Sequence, residues 1–199
     1  MKTEIITSDI EKAVSLIISG ALVAVPTETV YGLAADGLNS KAVERIYQVK
    51  GRPQVKPISL MVAGPEDIDK YCIQVPEKAR KLAEKFWPGP LTIVLKANQI
   101  VPEIVRAGGN TVGLRCPRHP ITLELLRKCL IPLAVPSANP SGAVSAKNVQ
   151  QVLEYFEGKI EAVIDGGQCN IGTESTVIDL SGNGLKILRL GALSEEELE

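Results

Sequence analysis

Short apolar runs alternate with amphipathic segments along the first two thirds of the chain, and this alternation constrains the fold more than any other feature. The runs at residues 21–25, 58–62 and 91–96 are typical of short strands, and segments between them have helical spacing. A Ser-Gly-Asn-Gly turn at residues 181–184 joins two further strands as a hairpin. This order predicts an α/β protein with an open, twisted, mixed parallel and antiparallel sheet and flanking helices.

Three serines are predicted to cap helices in this alternating pattern. Ser8 begins a capping-box sequence that Glu11 completes, Ser40 precedes the second helical segment, and Ser145 precedes the last one. The second helical segment is expected to end where Gly51 provides a left-handed C-cap. The loops beyond such helix ends are where binding residues are usually found.

The composition limits the classes of function. The 199 residues carry a net charge of −1 and are 45% apolar, which is ordinary for a globular protein and gives no support for bulk nucleic-acid binding. The four cysteines lie far apart without a Cys-x-x-Cys pair, which argues against a zinc site and fits reduced thiols. The N-terminus lacks a signal-peptide apolar region, and the longest charge-free run, residues 13–27, is too short to span a bilayer. We therefore expect a soluble, cytoplasmic protein without membrane association.

A dense polar stretch follows the first apolar run. Residues 26–32, Pro-Thr-Glu-Thr-Val-Tyr-Gly, place Thr27, Glu28, Thr29 and Tyr31 within a few positions. A turn that only reverses the chain requires Gly, Pro, Asn or Asp rather than this set. We interpret the stretch as a binding loop that leads from a buried strand to a helix start, with a Thr-rich edge strand as the alternative.

Basic side chains are concentrated in two places. Lys50, Arg52 and Lys56 fall within seven residues, on a segment that two prolines keep from continuing the preceding helix. Cations here either offset the dipole of that helix or bind an anionic ligand. Arg115 lies inside the strand predicted at residues 111–116, and a buried arginine requires an anionic partner.

Several common catalytic arrangements are absent from the sequence. His119 is the only histidine, which nearly excludes a Ser-His-Asp triad, and we expect it to be a cap or surface residue. The sequence contains neither a P-loop nor a strand-linked Gly-x-Gly-x-x-Gly motif, and the carboxylates Glu28, Asp165 and Glu174 form no obvious pair. The cations and polar loop residues that remain suit the binding of phosphates and a small zwitterion. They are Lys50, Arg52, Lys56, Arg115, Arg189, Thr27, Thr29, Ser137, Asn139, Ser145 and Ser175.

Five motifs, taken in order, resemble those of a known family. They are Pro-Thr-Glu-Thr-Val-Tyr-Gly-Leu at 26–33, Lys-Gly-Arg-Pro at 50–53, Pro-Gly-Pro-Leu-Thr at 88–92, Pro-Ser-Ala-Asn-Pro-Ser-Gly at 136–142 and Glu-Ser-Thr-Val-Ile-Asp at 174–179. Their order and spacing resemble the YrdC/TsaC family across residues 9–192. The resemblance implies one YrdC-like domain, residues 1–199, with a concave basic face. A short acidic C-terminal tail is expected to form a frayed helix.

The resemblance also implies an activity. Family members are nucleotidyltransferases that convert L-threonine, bicarbonate or CO2, and ATP into threonylcarbamoyl-adenylate and pyrophosphate. Other proteins then help to transfer the threonylcarbamoyl group to adenosine 37 of tRNA. The expected ligands are therefore ATP, L-threonine and bicarbonate, with Mg²⁺ carried in by ATP and no metal held by the protein alone. Downstream tRNA threonylcarbamoyl-transfer proteins are the expected partners, and weak tRNA binding is a further expectation.

Matching positions assign roles to individual residues by resemblance. Lys50 and Arg52 are expected to be catalytic and to face the ATP phosphates. The expected ATP-binding residues are Lys50, Arg52, Lys56, Thr111, Ser137, Asn139, Ser145 and Arg189. The expected threonine-binding residues are Thr29, Arg115, Val135 and Ser175. Arg115 is expected to bind the threonine carboxylate through two hydrogen bonds. Met61 stands where some relatives have histidine and is not included, and residues 50–57 and 88–90 are candidate lids.

Two other functions fit part of the sequence. An RNA-binding module would use the same basic face, although the near-neutral charge and the few aromatic residues weigh against it. A carbamoyl-group transferase is the second alternative, because similar domains occur inside carbamoyl-transfer proteins. The sequence shows none of the acylphosphatase or zinc-finger parts that accompany those domains.

Overall fold

The computed structural model describes residues 2–198, in which a ten-stranded sheet carries six α-helices. The strands are β1 (Glu4–Ile6), β2 (Val23–Val25), β3 (Gly32–Asp36), β4 (Leu60–Met61), β5 (Leu91–Lys96), β6 (Thr111–Arg115), β7 (Leu133–Ala134), β8 (Ala162–Ile164), β9 (Thr176–Asp179) and β10 (Lys186–Arg189). The helices are α1 (Ile10–Ile18), α2 (Ser40–Lys50), α3 (Ile68–Tyr71), α4 (Glu77–Phe86), α5 (Pro120–Cys129) and α6 (Val149–Phe156). Short 3-10 helices cover Pro65–Asp67 and Glu196–Leu198. The predicted α/β class is confirmed.

The sheet is mixed, as the sequence predicts. Its strand order is β1-β8-β2-β3-β7-β4-β6-β5-β9-β10. The pairs β1–β8, β2–β8, β4–β6 and β5–β9 are parallel. The pairs β2–β3, β3–β7, β4–β7, β5–β6 and β9–β10 are antiparallel. The C-terminal hairpin β9–β10 therefore lies beside β5 and β6, so residues from distant parts of the chain become neighbours.

Helices lie on both faces of the sheet. One apolar cluster contains Ala24 of β2 together with residues of α2, α4 and α6. A second cluster contains Val23 and Val25 of β2 together with residues of α1 and α5. Successive side chains of a strand point to opposite faces, so these two clusters lie on opposite sides of the sheet.

Helices α1 and α5 cover only one half of their face of the sheet, and the other half is open. Within residues 2–198, the cluster on this face includes no side chain from β5, β6, β9 or β10. The alternation in β6 shows the consequence, because Val112 and Leu114 are in the opposite cluster. The other side chains of β6, Thr111 and Arg115, face an open cleft on the uncovered half.

The predicted capping serines are not the N-caps. The three N-cap positions hold Asx residues instead, Asp9, Asn39 and Asn148, whose side chains accept backbone N–H groups of the first turn. Asp and Asn are as favourable as serine at this position, and Ser40 is itself the first residue of α2. Ser8 and Ser40 flank the true caps, while Ser145 donates to Glu174. The C-cap prediction is confirmed, since Gly51 is left-handed with φ +58°.

The polar stretch runs directly into a strand, which the sequence analysis did not predict and which precedes the start of α2 at Ser40. The strand is β3, which runs antiparallel to β2. Leu33 and Ala34 of β3 are fully buried on opposite faces, so the strand lacks the alternation of apolar and polar residues that would identify it. The three-residue edge strand β1 also leaves no clear signal in the sequence.

The acidic C-terminal tail is packed against the domain. Leu198 is 2% exposed and belongs to the larger apolar cluster. The Lys85 ammonium donates to the backbone oxygen of Glu197 at 2.9 Å. The expectation of a frayed helix is therefore wrong, because one apolar side chain anchors the segment.

The cysteines are free and buried. Burial raises the pKa of both Cys72 and Cys116 to about 12, so neither thiol ionises near neutral pH. In the described part of the chain, no group of three or more His, Cys, Asp or Glu side chains is placed to hold a metal ion. No helix within residues 2–198 has the length and apolar character needed to cross a membrane.

Gly191 permits close packing between the end of β10 and the residues that lead into β9. A Cβ atom at this position would lie 2.2 Å from the backbone oxygen of Glu174 and 2.7 Å from that of Ser175. Gly191→Ala is expected to lower the free energy of unfolding by about 1–3 kcal/mol, because backbone atoms must move apart. Gly182→Ala is the control, since a Cβ there meets no atom within 4 Å. Urea unfolding measures the free energy of unfolding of both variants. Equal values would contradict the close packing at Gly191.

Candidate active site

The open half of the sheet forms the floor of a cleft of about 370 Å³. Strands β4, β5, β6 and β9 contribute to the floor, and the loop before β3, the segment after α2 and strand β10 contribute to the walls. Most residues assigned by resemblance line this cleft, namely Thr29, Arg52, Thr111, Arg115, Val135, Ser137, Ser175 and Arg189. The structure thus brings together side chains that are up to 160 positions apart in the sequence. Their individual roles stay predictions.

The remaining assigned residues, Lys50, Lys56, Asn139 and Ser145, do not line the cleft. Lys56 is exposed on the segment after α2. Asn139 is buried, and its amide nitrogen donates to the backbone oxygens of Pro140 and Ala143. Asn139 therefore shapes the loop after β7 in this structure.

The side chain of Lys50 also forms hydrogen bonds with backbone groups. Its ammonium is buried and donates to the backbone oxygens of Ser137 and Asn139, both at 2.5 Å. The backbone oxygen of Lys50 accepts from the N–H of Ser141 at 2.8 Å. Burial lowers the pKa of Lys50 to about 8, and the charge of Arg52 contributes to the shift. Lys50 thus ties the end of α2 to the loop after β7, and a phosphate contact must use the third N–H of its ammonium or replace one of these carbonyls.

Arg115 has an anionic partner within the chain. Its Nη2 donates to Glu28 Oε1 at 2.7 Å and to Thr29 Oγ1 at 3.0 Å, and its Nε donates to the backbone oxygen of Gly89 at 3.3 Å. The second Glu28 oxygen accepts the backbone N–H of Arg118 at 2.9 Å. Among the described residues, only Nη1 of Arg115 has no partner, so a two-bond grip on a ligand carboxylate requires one of these bonds to break.

The carboxylates Glu28 and Glu174 each have an arginine partner. Glu28 pairs with Arg115, and Glu174 pairs with Arg189. Both arginines line the cleft, so each carboxylate neutralises a site cation. The sequence contained a partial signal for Glu28, which belongs to the dense polar stretch. Glu174 begins the motif at 174–179, but the motif does not identify its partner Arg189, which lies on a strand 15 residues later.

Hydroxyl groups are concentrated at the Arg115 end of the cleft. Thr29 is fully buried, with its Oγ1 2.9 Å from Thr27 Oγ1. Ser175 Oγ lies 2.9 Å from Thr92 Oγ1, a contact that the sequence analysis did not assign. Met61 lines the same end and is the register partner of Arg115 between β4 and β6. This end is therefore a small polar compartment with one apolar wall, suited to an amino acid.

Two further guanidinium groups lie in the cleft. Arg52 donates to the backbone oxygens of Lys56 at 3.3 Å and Pro57 at 2.8 Å, and it has no carboxylate within ion-pair distance among residues 2–198. Arg189 donates to the backbone oxygen of Ser175 through Nε and Nη2 and pairs with Glu174 through Nη1. These groups, with the Ser137 hydroxyl, suit an anionic ligand larger than a single carboxylate.

His119 lies outside the cleft lining, at the N-cap of α5. The predicted cap position is confirmed, although its side chain makes no capping hydrogen bond. Its Nδ1 is buried without a hydrogen-bond partner in the described part of the chain. Burial lowers the pKa of His119, which keeps the ring neutral near pH 7.

The two candidate lids differ in how firmly they are held. Gly89 is buried and its backbone oxygen accepts from Arg115, so residues 88–90 support the site floor. Residues 53–57 are exposed beside Arg52 at the rim. The latter segment is the better candidate for a cover over bound ligand, and its movement stays a prediction.

The chain is similar in sequence to known proteins. Residues 15–191 match the Sua5_yciO_yrdC family, described as telomere recombination. A Pyrococcus abyssi protein named threonylcarbamoyl-AMP synthase is 47% identical over 187 residues, which cover 94% of this chain and 55% of that protein. A Bacillus subtilis protein of the same name is 40% identical over 200 residues, covering 98% of this chain and 58% of that protein.

A solved structure is also similar over the whole chain. The crystal structure of P. abyssi Sua5 complexed with L-threonine has a TM-score of 0.96 and 43% sequence identity, covering 100% of this chain and 60% of that one. This chain therefore spans between 55% and 60% of the length of these three proteins.

The Arg115–Glu28 pair gives a prediction about stability. Glu28→Ala leaves the 6%-exposed Arg115 without its anion, and breaking a buried pair in this way is expected to cost about 3–5 kcal/mol. The control is Asp69→Ala, which removes an exposed ion pair with Arg80 of similar bond lengths. That loss is expected to be far smaller because water screens the charges. Urea unfolding compares the variants, and equal losses would refute the importance of burial.

The Lys50 environment gives a prediction about pH. The pKa of Lys50 falls from 10.5 to about 8 on folding. At pH values between these two, the unfolded chain therefore binds more protons than the folded chain. The stability that Lys50 contributes is complete above the unfolded pKa and is lost as the pH falls through the folded pKa. Wild type is therefore expected to gain stability relative to Lys50→Met between about pH 8 and pH 10. A difference in unfolding free energy that does not change with pH would contradict this.

Proposed function

This chain belongs to the Sua5_yciO_yrdC family, and from that premise we propose that it synthesises threonylcarbamoyl-AMP and pyrophosphate from L-threonine, bicarbonate or CO2, and ATP. The observation that carries the proposal is that one cleft is lined both by Arg115 with its neighbouring hydroxyl groups and by two further guanidinium groups, those of Arg52 and Arg189. Arg115, Thr29 and Ser175 form a compartment of amino-acid size, and Arg52 and Arg189 offer guanidinium groups for phosphates. The names of the P. abyssi and B. subtilis relatives and the L-threonine complex of P. abyssi Sua5 support it.

The proposed reaction proceeds without an enzyme nucleophile. The amino nitrogen of threonine bonds to the carbon of CO2 and loses a proton, which gives a carbamate. A carbamate oxygen then attacks the α-phosphorus of ATP. The bond from this phosphorus to the oxygen that bridges to the β-phosphorus breaks, and pyrophosphate leaves with the electron pair. The protein contributes by holding the reactants together, which can account for most of the barrier reduction.

Each end of the cleft has its own task in this scheme. Arg115, held in place by Glu28 and Gly89, directs its unpartnered Nη1 to the threonine carboxylate. The hydroxyls of Thr29 and Ser175 orient the rest of the amino acid. Arg52 and Arg189 balance the phosphate charges as the leaving pyrophosphate accumulates negative charge.

Mg²⁺ belongs to the substrate in this proposal. Glu174 and Asp179 are the carboxylate residues that line the cleft within residues 2–198, and Glu174 is bound to Arg189. Two carboxylates, one of them already paired, do not form a cage for a dedicated metal. They do suit a cation that arrives with ATP and is bound mainly by phosphate oxygens. Downstream, we propose that the adenylate is passed to tRNA threonylcarbamoyl-transfer proteins.

The first test omits one reactant at a time. Pyrophosphate release from ATP is expected to require both L-threonine and bicarbonate, because the carbamate is the attacking group. Release that continues without threonine would overturn the proposal. Salt-sensitive RNA binding without ATP turnover would favour the RNA-binding alternative instead.

The second test separates the two ends of the cleft. Arg52→Ala is expected to lower kcat roughly 100-fold, because a cation that balances the leaving group is lost. Arg118→Ala removes the same charge from an exposed residue outside the cleft lining and serves as its control. Equal activities of these two variants would refute the role of Arg52.

At the other end, Arg115→Lys keeps a cation beside Glu28 but removes the planar fork. The KM for threonine is expected to rise roughly 10- to 100-fold, as for loss of a charge-assisted hydrogen bond, while the KM for ATP stays near its wild-type value. An unchanged KM for threonine would show that Arg115 does not contact the amino acid.

A further inference from the structure

The side chain of Glu174 lies among groups that the proposed function assigns to ATP. Its Oε1 accepts from Ser145 Oγ at 2.8 Å, and its Oε2 accepts from Arg189 Nη1. Ser145 Oγ is also 3.4 Å from Asn139 Oδ1. Two residues assigned to the nucleotide thus contact one carboxylate, and a third, Asn139, contacts one of those two. The residue that carries this carboxylate itself lines the cleft.

The negative charge of Glu174 also affects the pKa of two nearby cations, Lys50 and Arg52. Burial is the main cause that lowers the pKa of Lys50 and of Arg52, and the charge of Glu174 opposes the shift in both. The carboxylate of Glu174 thus interacts with the charges of Lys50, Arg52 and Arg189. A phosphate group in the place of this carboxylate would interact favourably with the same cations.

The attachment of Glu174 allows its carboxylate to leave while its backbone stays. The backbone oxygen accepts from Ala192 N–H at 3.0 Å and lies close against Gly191. The side chain is 36% exposed, and that of its partner Arg189 is 46% exposed. Exposed ion pairs contribute little to stability, so an incoming polyanion can replace this one.

We propose that Glu174 is an internal anion that occupies the phosphate end of the cleft in the ligand-free protein and is displaced when the triphosphate binds. This inference rests on the proposed function. When the polyphosphate is absent, the carboxylate holds Arg189 and Ser145 in place. When pyrophosphate is the bound product, the same carboxylate competes for those groups and favours release. Glu174 therefore weakens polyphosphate binding instead of contributing to it.

The first experiment measures binding of pyrophosphate by calorimetry in the presence of EDTA, so that no divalent ion links carboxylate and phosphate. Glu174→Gln keeps the size and the acceptor oxygen of the side chain but removes its charge. Its dissociation constant for pyrophosphate is expected to be about two- to fivefold lower than that of wild type, the scale of one exposed charge pair. The inhibition constant of pyrophosphate in turnover is expected to fall by a similar factor.

Asp179→Asn is the matched control. Asp179 lines the same cleft, but its carboxylate accepts from the backbone N–H of Ser181 and, among the described residues, forms no ion pair. The substitution removes the same charge and keeps an acceptor, and its dissociation constant is expected to stay close to that of wild type. Urea unfolding confirms that both variants are folded.

The outcomes separate this inference from the function on which it rests. Unchanged or weaker pyrophosphate binding in Glu174→Gln would overturn the inference, and so would an equal gain in Asp179→Asn. In either case wild-type binding and threonine-dependent turnover would leave the proposed function standing. If wild type and both variants bind neither pyrophosphate nor ATP, the proposed function and the inference fall together.

Discussion

The site depends on the buried ion pair between Arg115 and Glu28. It joins β6 to the loop between β2 and β3, two elements that belong to different parts of the sheet. An arginine buried in this way would be very costly without a partner, and Glu28 is itself satisfied by the N–H of Arg118. Because Glu28, Thr29 and Gly89 fix three of the five N–H groups, the guanidinium presents a defined edge to the cleft. The end of the cleft that contains Arg115 is therefore preformed.

The cleft itself follows from an uneven distribution of helices. Helices α1 and α5 cover the half of one sheet face that contains β2 and β8, and the half that contains β5, β6 and β9 stays open. The strand pattern then decides which side chains reach the cleft, since every second residue of β6 and β9 points there. Near Arg52 the other cations have partners within the protein, since Glu174 pairs with Arg189 and backbone carbonyls accept from Lys50. The proposed binding of a polyphosphate would replace some of these partners.

The sequence predicted the fold class and the closing hairpin, because these depend on local periodicity and on turn residues. The motifs that resemble the family identified eight of the residues that line the cleft. The sequence predicted that Arg115 needs an anion but could not identify Glu28, since the pair joins residues 87 positions apart. Strand β3 was missed because both of its faces are buried. The role of Lys50 as a tie between α2 and the loop after β7 was also missed. A lysine beside a phosphate and a lysine beside two carbonyls have the same sequence signature.

The central claim is that threonine and polyphosphate occupy opposite ends of one cleft at the same time. Backbone amide NMR shifts, recorded first with L-threonine and then with a non-hydrolysable ATP analogue added, test it most directly. The account predicts that threonine perturbs Thr29, Gly89 and Ser175, and that the analogue then perturbs Arg52 and Ser137 without reversing the first set. Mutually exclusive binding, or perturbations confined to residues outside the cleft, would contradict it.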